Sequence, residues 1–355
     1  MLGPNERDRL VMALAVTIGL LLVAAAVAAT GLTSAAPATE HTLVTSVPTP
    51  PTTPLITTTT IAPVTTAPPP TATPRQSWGV GVASFQFVDR SRPTGPAPGD
   101  PGESFRTLPT IVRYPSVGSP SAGEQPGAAA DRRSGPFPLI VFAHGYDASP
   151  STYATLLHAW ASTGYVVAAP AFPRAVAGGP LDEGDLVNQP ADVSYVIGQL
   201  LAAARPGQPL AGVVDATRIG VAGHSDGAST AVGVGYGVCC HDARVRADAV
   251  MEGDDHTFPM IRSPGPPLLV VQGDSDAINP PNYGQQVFAD GPSPKFMLWL
   301  IHGQHLEPFT SDQPHLAVVQ AATLGFFDRY LKGRAAALER IRAAATPNLA
   351  TLTTG

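Results

Sequence analysis

Cysteine is almost absent from this chain of 355 residues, and the two it has are neighbours, Cys239 and Cys240. No C-x-x-C or other zinc spacing can be built from them. A disulfide between adjacent residues is strained, so the pair reads as two small thiols, and "CCHD" (239–242) as an ordinary helix end. Charge is scarce as well: 14% of residues are charged and the formal net charge is −6. With no basic excess to neutralise phosphates, a nucleic-acid partner is excluded. No G-x-x-x-x-G-K-[ST] or strand-anchored G-x-G-x-x-G is present, which removes the common phosphate-binding loops. "LDEGDL" (181–186) clusters three carboxylates without EF-hand spacing and reads as a solvated loop rather than a calcium site. No cofactor or metal is implied, and no internal repeat is visible.

Apolar residues make up 44% of the chain, and glycine (35) and proline (39) are abundant. The apolar share suffices for a core, while the Gly/Pro excess points to a non-globular part. Residues 1–9 carry Arg7 and Arg9, and 10–32 then run without a charge. That length spans a bilayer, whereas a signal-peptide core is usually about 7–15 residues. The segment is therefore expected to be a transmembrane anchor, or a signal peptide if the "TSAAPA" that follows it is cut. The arginines stay inside and the rest of the chain lies outside the cytoplasm. The expected location is the cell membrane, single-pass, or secretion after cleavage. Residues 37–74 hold 14 Thr and 10 Pro, so 33–75 is expected to be a disordered stalk.

From about residue 76 short apolar runs alternate with helical stretches. Strands are expected at 78–89, 104–115, 138–145, 165–171, 218–223, 247–253, 266–273 and 295–303, and helices at 151–164, 190–204, 227–238 and 315–331. Strand–helix alternation with continuously apolar strands implies α/β architecture, a mostly parallel, doubly wound sheet covered on both faces. One such domain spans 76–335, and the tail 336–355 reads as loosely attached. Between strand 165–171 and helix 190–204 the insertion is short, so little or no cap covers the sheet.

"RIGVAGHSDGAST" (218–230) takes an apolar strand through Gly-His-Ser-Asp-Gly into a helix of small residues. G-x-S-x-G in that setting is a nucleophile elbow: Ser225 sits in a tight turn, and Gly223 and Gly227 let strand and helix approach. A nucleophilic serine needs a base and an orienting acid, in the chain order Ser, acid, His. "GDSDAINPP" ends one later strand and "HGQHLEPF" the next, both at the edge where open α/β sheets place their sites. Asp276 fits G-x-x-D-x-x-x-P; Asp274 beside it reads as a turn former. Glu252, Asp254 or Asp255 in "MEGDDHTFP" is the fallback one strand earlier. His305 reads as the base, His302 as structural, His315 as a surface residue. His224 packs beside the nucleophile, and His144 shapes a loop.

With "FAHGYDASP", "GHSDGA", "GDSDAINPP" and "HGQHLEPF" in this order, the region from about 78 to 332 resembles the α/β-hydrolase superfamily. Within it, the likeness is to the dienelactone hydrolase, platelet-activating-factor acetylhydrolase and cutinase-like polyesterase group. The resemblance implies an α/β-hydrolase fold and a serine hydrolase acting on carboxylic esters, with Ser225 as nucleophile, Asp276 as acid and His305 as base. The backbone N–H groups of Tyr146 and Asp226 would form the oxyanion hole. The implied partner is a small-molecule or lipid ester, with the membrane engaged through the N-terminal helix. Tyr146 and Trp160 or Trp299 are candidates to line the cleft. The rival readings are an acyltransferase with the same triad, a peptidase, and a tethered non-catalytic binding protein on the same scaffold.

Overall fold

The computed structural model describes residues 77–120, 123–260 and 264–355. The segments 1–9, 10–32 and 33–75 lie outside the described residues. Among the described residues no helix is long and apolar enough to cross a membrane.

Among the described residues ten strands form one sheet: β1 (Gly79–Asp89), β2 (Arg106–Ser116), β3 (Glu124–Pro126), β4 (Phe137–Ala143), β5 (Val166–Pro170), β6 (Val214–His224), β7 (Val245–Met251), β8 (Leu268–Gly273), β9 (Lys295–Leu300) and β10 (Ala350–Thr354). Their order is β10-β9-β8-β7-β6-β4-β5-β2-β1-β3. The six central strands, β5 to β9 through β4, are parallel. The β1–β2 hairpin joins antiparallel to β5 at one edge.

The apolar strand runs are continuous because both faces are buried. Along β4, Ile140 and Phe142 enter one core and Leu139, Val141 and Ala143 the other, the two-residue alternation of a strand between two helical layers. On the first face lie α1 (Ala154–Ala161), α6 (Gln313–Tyr330) and α7 (Ala337–Ala344). On the second lie α2 (Gln189–Ala203), α3 (Asp226–Tyr236) and α4 (Asn282–Asp290). A short α5 (Glu307–Thr310) precedes α6.

Three expectations are corrected. The tail 336–355 is not loosely attached: Ala337, Ile341 and Ala344 of α7 are buried, and β10 pairs antiparallel with β9, Ala350 opposite Leu300. The strand covers the free side of β9 and becomes the sheet's own edge, kept short. Cys239 and Cys240 are not separate thiols but a disulfide. After α3 the chain turns back on itself, Cys240 and His241 both donating their N–H to the Gly237 carbonyl. The carboxylates of 181–186 do not form one solvated cluster. Asp185 is buried against Arg106, which also pairs with Asp192 of α2, and Arg92 bridges Asp192 to Asp89. Bidentate guanidinium–carboxylate pairing satisfies these groups away from water. It fastens the 3₁₀ turn Glu183–Asn188 to the hairpin.

Candidate active site

Ser225 leaves β6 at φ 57° and ψ −129° and opens α3. A non-glycine residue held at positive φ is strained and is kept only where packing dictates it. The packing here is specific: a Cβ on Gly223 would lie 1.9 Å from the Gly227 carbonyl oxygen, and one on Gly227 2.1 Å from that of Ala143. No larger residue fits either position, so strand, turn and helix close on the serine.

His305, in the loop after β9, reaches Ser225 Oγ with Nε2 at 2.9 Å and Asp276 Oδ2 with Nδ1 at 2.7 Å. Asp276, after β8, is buried, and its Oδ1 accepts the N–H groups of Ile278 and Asn279 at 2.8 and 2.9 Å. Burial raises the Asp276 carboxyl, but the hydrogen bonds from His305, Glu252 and Ile278 outweigh it and hold the group at about 2. The loops after β8 and β9 interlock: a Cβ on Gly273 would sit 2.3 Å from the Gly303 oxygen. Asp274 is the turn former expected, accepting the N–H of exposed His302 at 2.7 Å. His315 is not a surface residue: it is 6% exposed and bonds Asp312 and the Ile301 carbonyl. Asp254 turns to Ser229 rather than to His305, and Asp255 lies with Asn282 and Tyr283 along the α4 groove.

Tyr146 and Asp226 flank the serine. A Cβ on Gly145 would lie 3.0 Å from Ser225 Cβ, so the 144–146 loop passes against Ser225. Among the described residues neither the Tyr146 nor the Asp226 N–H meets a protein acceptor. Both remain available to an oxygen placed above Ser225. His144 shapes this loop. Its Nδ1–H donates to Gly145 O at 2.8 Å and its Nε2 accepts the Phe172 N–H at 3.1 Å. Burial keeps its pKa at about 4, so it stays neutral.

Two connections were missed in the sequence. His224 does more than pack. Its Nε2–H donates to the His305 carbonyl at 2.6 Å, and its Nδ1 accepts from the Tyr153 hydroxyl at 2.8 Å. That hydroxyl also receives the Gly145 N–H at 3.4 Å. One run of bonds thus ties the His305 loop to β6, which carries Ser225, and to the 144–146 loop. Burial, followed by the nearby His305 charge, lowers His224 to about 3. The second connection is Glu252, at the end of β7, whose buried carboxyl lies beside Asp276. Donor atoms of Glu252, Asp276 and His305 lie within 4.8 Å of one another. That spacing is small enough for a cation, but the oxygens of Asp276 are already taken by three N–H donors, which fits proton sharing rather than metal ligation. The signal in the sequence was two adjacent parallel strands each ending on an acid. Trp160 does not line the cleft: it is wholly buried and donates to Thr323. Trp299 packs at the edge of the α3–α4 core. Tyr146 is 37% exposed at the mouth.

Residues 123–254 match a family model described as Chlorophyllase. The match includes Ser225 and Glu252 and stops short of Asp276 and His305. No curated protein matches the chain. A ferulic acid esterase from Streptomyces cinnamoneus, among the solved structures that match, is 24% identical with a TM-score of 0.60, covering 74% of this chain and 93% of that one. A likeness at that identity speaks for the fold.

Proposed function

We propose that this chain, an α/β hydrolase by fold, is a serine ester hydrolase working through Ser225, His305 and Asp276. The observation that carries the reading is the continuous pair of hydrogen bonds from Ser225 Oγ through His305 to Asp276, set beside two unengaged backbone N–H groups. Ser225 Oγ attacks the ester carbonyl carbon while His305 Nε2 takes its proton. Asp276 accepts from Nδ1, fixes the tautomer and stabilises the imidazolium. The Tyr146 and Asp226 N–H groups receive the oxyanion, a contribution of about 10²–10³ in rate for each such donor. Collapse expels the alkoxide with the proton from His305. Water, deprotonated by the same histidine, then releases the acid and regenerates Ser225. A family model described as Chlorophyllase and a neighbour titled a ferulic acid esterase both support ester substrates.

Among the described residues the cleft carries no bulky cap, since the insertion after β5 is the loop at 171–182 and one 3₁₀ turn. The uncharged run at 10–32 and the Thr/Pro-rich stretch behind it support a membrane-tethered enzyme facing out of the cytoplasm, acting on lipid, wall or scavenged esters. The test is turnover of short- and long-chain p-nitrophenyl esters by the full chain in detergent, beside Ser225→Ala. Turnover lost in the variant supports the esterase. No turnover with any ester, and no labelling of Ser225 by a fluorophosphonate, would instead favour a tethered binding protein. Acyl transfer to an added alcohol in preference to water would make it an acyltransferase.

A further inference from the structure

Glu252 has a role that the Ser-His-Asp set does not require. It follows β7 directly at φ 55° and is 0% exposed. Its backbone is pinned on both sides: the N–H donates to Val271 O at 2.9 Å, and the carbonyl accepts from Asn279 Nδ2 at 2.5 Å. Its carboxyl is pinned as well. Oε1 accepts the Gly273 N–H at 2.8 Å, and Oε2 accepts from Gln272 Nε2. The side chain is thereby aimed at Asp276: both carboxyls are buried, and an oxygen of each lies within 4.8 Å of the other.

Two buried carboxyl groups this close repel when both are ionised, so one of them keeps a proton and can donate it to the other. Their surroundings decide which. Asp276 receives two backbone N–H donors and the His305 Nδ1–H; Glu252 receives two neutral donors and no cation. The titratable groups facing the pair are His305 from the loop after β9 and His224 from the end of β6, the latter held neutral by burial. Among the described residues no lysine or arginine forms an ion pair with either carboxyl. The charge therefore settles on Asp276 and the proton on Glu252, and burial pushes Glu252 well above the usual carboxylate range.

We infer that Glu252 is a neutral positioning acid whose carboxylic O–H donates to the Asp276 carboxylate, making a four-membered line Ser225–His305–Asp276–Glu252. The inference rests on the esterase reading for its kinetic consequence, though not for the proton itself. The donated bond shares the negative charge of Asp276 and so limits how tightly Asp276 holds a protonated His305. Removing the donor concentrates that charge and raises the pH at which His305 loses its proton.

The experiment compares the full chain with Glu252→Gln and Glu252→Leu. Gln keeps an N–H donor and adds no charge, so the acid limb of kcat/KM stays at its wild-type pH. Leu removes the donor, and the limb moves up by about half a pH unit or more. A downward shift in Glu252→Gln would mean that Glu252 is ionised in the wild type and would overturn the inference. An unmoved limb in both variants would reduce Glu252 to packing and overturn it equally. Infrared difference spectra at neutral pH give a readout that needs neither activity nor a folded Leu variant. A protonated carboxyl band present in the wild type and missing in Glu252→Gln is expected; no such difference means an ionised Glu252. If fluorophosphonate fails to label Ser225, the esterase reading falls while the infrared result still decides the proton.

Discussion

The two sides of Ser225 are built differently. Toward the ends of β7, β8 and β9, the side chains bond one to the next: Tyr153 to His224, His224 to the His305 backbone, His305 to Asp276, and Glu252 to Gln272 and Gly273. Toward the 144–148 loop and the 3₁₀ turn, Tyr146 stands exposed, two backbone N–H groups are unengaged, and Asp226 Oδ2 has no partner among the described residues. In the proposed mechanism a proton passes between Ser225 and His305 on the first side, and that path requires fixed distances. The same mechanism asks the second side to accept a reacting group, and a donor already satisfied by the protein cannot serve an oxyanion.

The sharpest way to break this contrast is to remove the serine on which both sides converge. Ser225→Ala is expected to lower kcat by about 10⁴–10⁶-fold, leaving only what the N–H donors and binding supply. Its thermal midpoint should not fall, since Oγ carries none of the core packing. Steady-state kinetics and a melt on the same sample check both halves. Next is Asp276→Asn, expected to cost about 10⁴-fold in kcat by presenting the wrong partner to His305 Nδ1. A loss of only a few-fold would show that Glu252 can take over as the acid.

The ordered side was the more legible in the sequence. Gly223, Gly227, Gly273 and Gly303 sit at close approaches where a Cβ would clash, and such positions leave a mark as glycine beside a functional residue. The parallel strands announced themselves as apolar runs because both faces are buried. What was illegible depends on contacts far apart in the chain. His224 touches the backbone of a residue 81 positions on, and no pattern within "GHSDG" encodes that. Helix α4 buries only Gly284 and Val287, too few apolar positions for a helical stripe. β10 is a short edge strand whose pairing exists only once β9 is in place.

A third test concerns what holds the open side in position. Arg106 is 0% exposed and carries Asp185 and Asp192. Arg106→Met leaves buried Asp185 without its cation and Asp192 with Arg92 alone, which costs about 3–5 kcal/mol. Denaturant unfolding should read that loss. In the variant that remains folded, fluorophosphonate labelling of Ser225 should persist, because the triad side does not pass through Arg106. Loss of labelling in folded protein would show that the two sides are one unit.

The smallest expected effect isolates the open side by charge. Burial raises Asp226 to about 6, with the charges of Glu183 and Asp254 adding to it and His305 opposing. A carboxyl whose folded-state pKa lies above its unfolded value near 3.8 binds more protons in the native state between those two pH values. Stability therefore falls as pH rises through that window and stays lowered above about 6. Asp226→Asn removes the charge and keeps the backbone N–H. Its melting midpoint should match the wild type at pH 4 and exceed it at pH 8 by about 2–4 °C, the shift for ~1 kcal/mol in a domain of this size. With a negative charge gone from beside the oxyanion, kcat should also rise a few-fold at pH 8 and not at pH 5. A gain equal at both pH values would mean that the aspartate is disfavoured for its shape, and that the open side is selective by form rather than by charge.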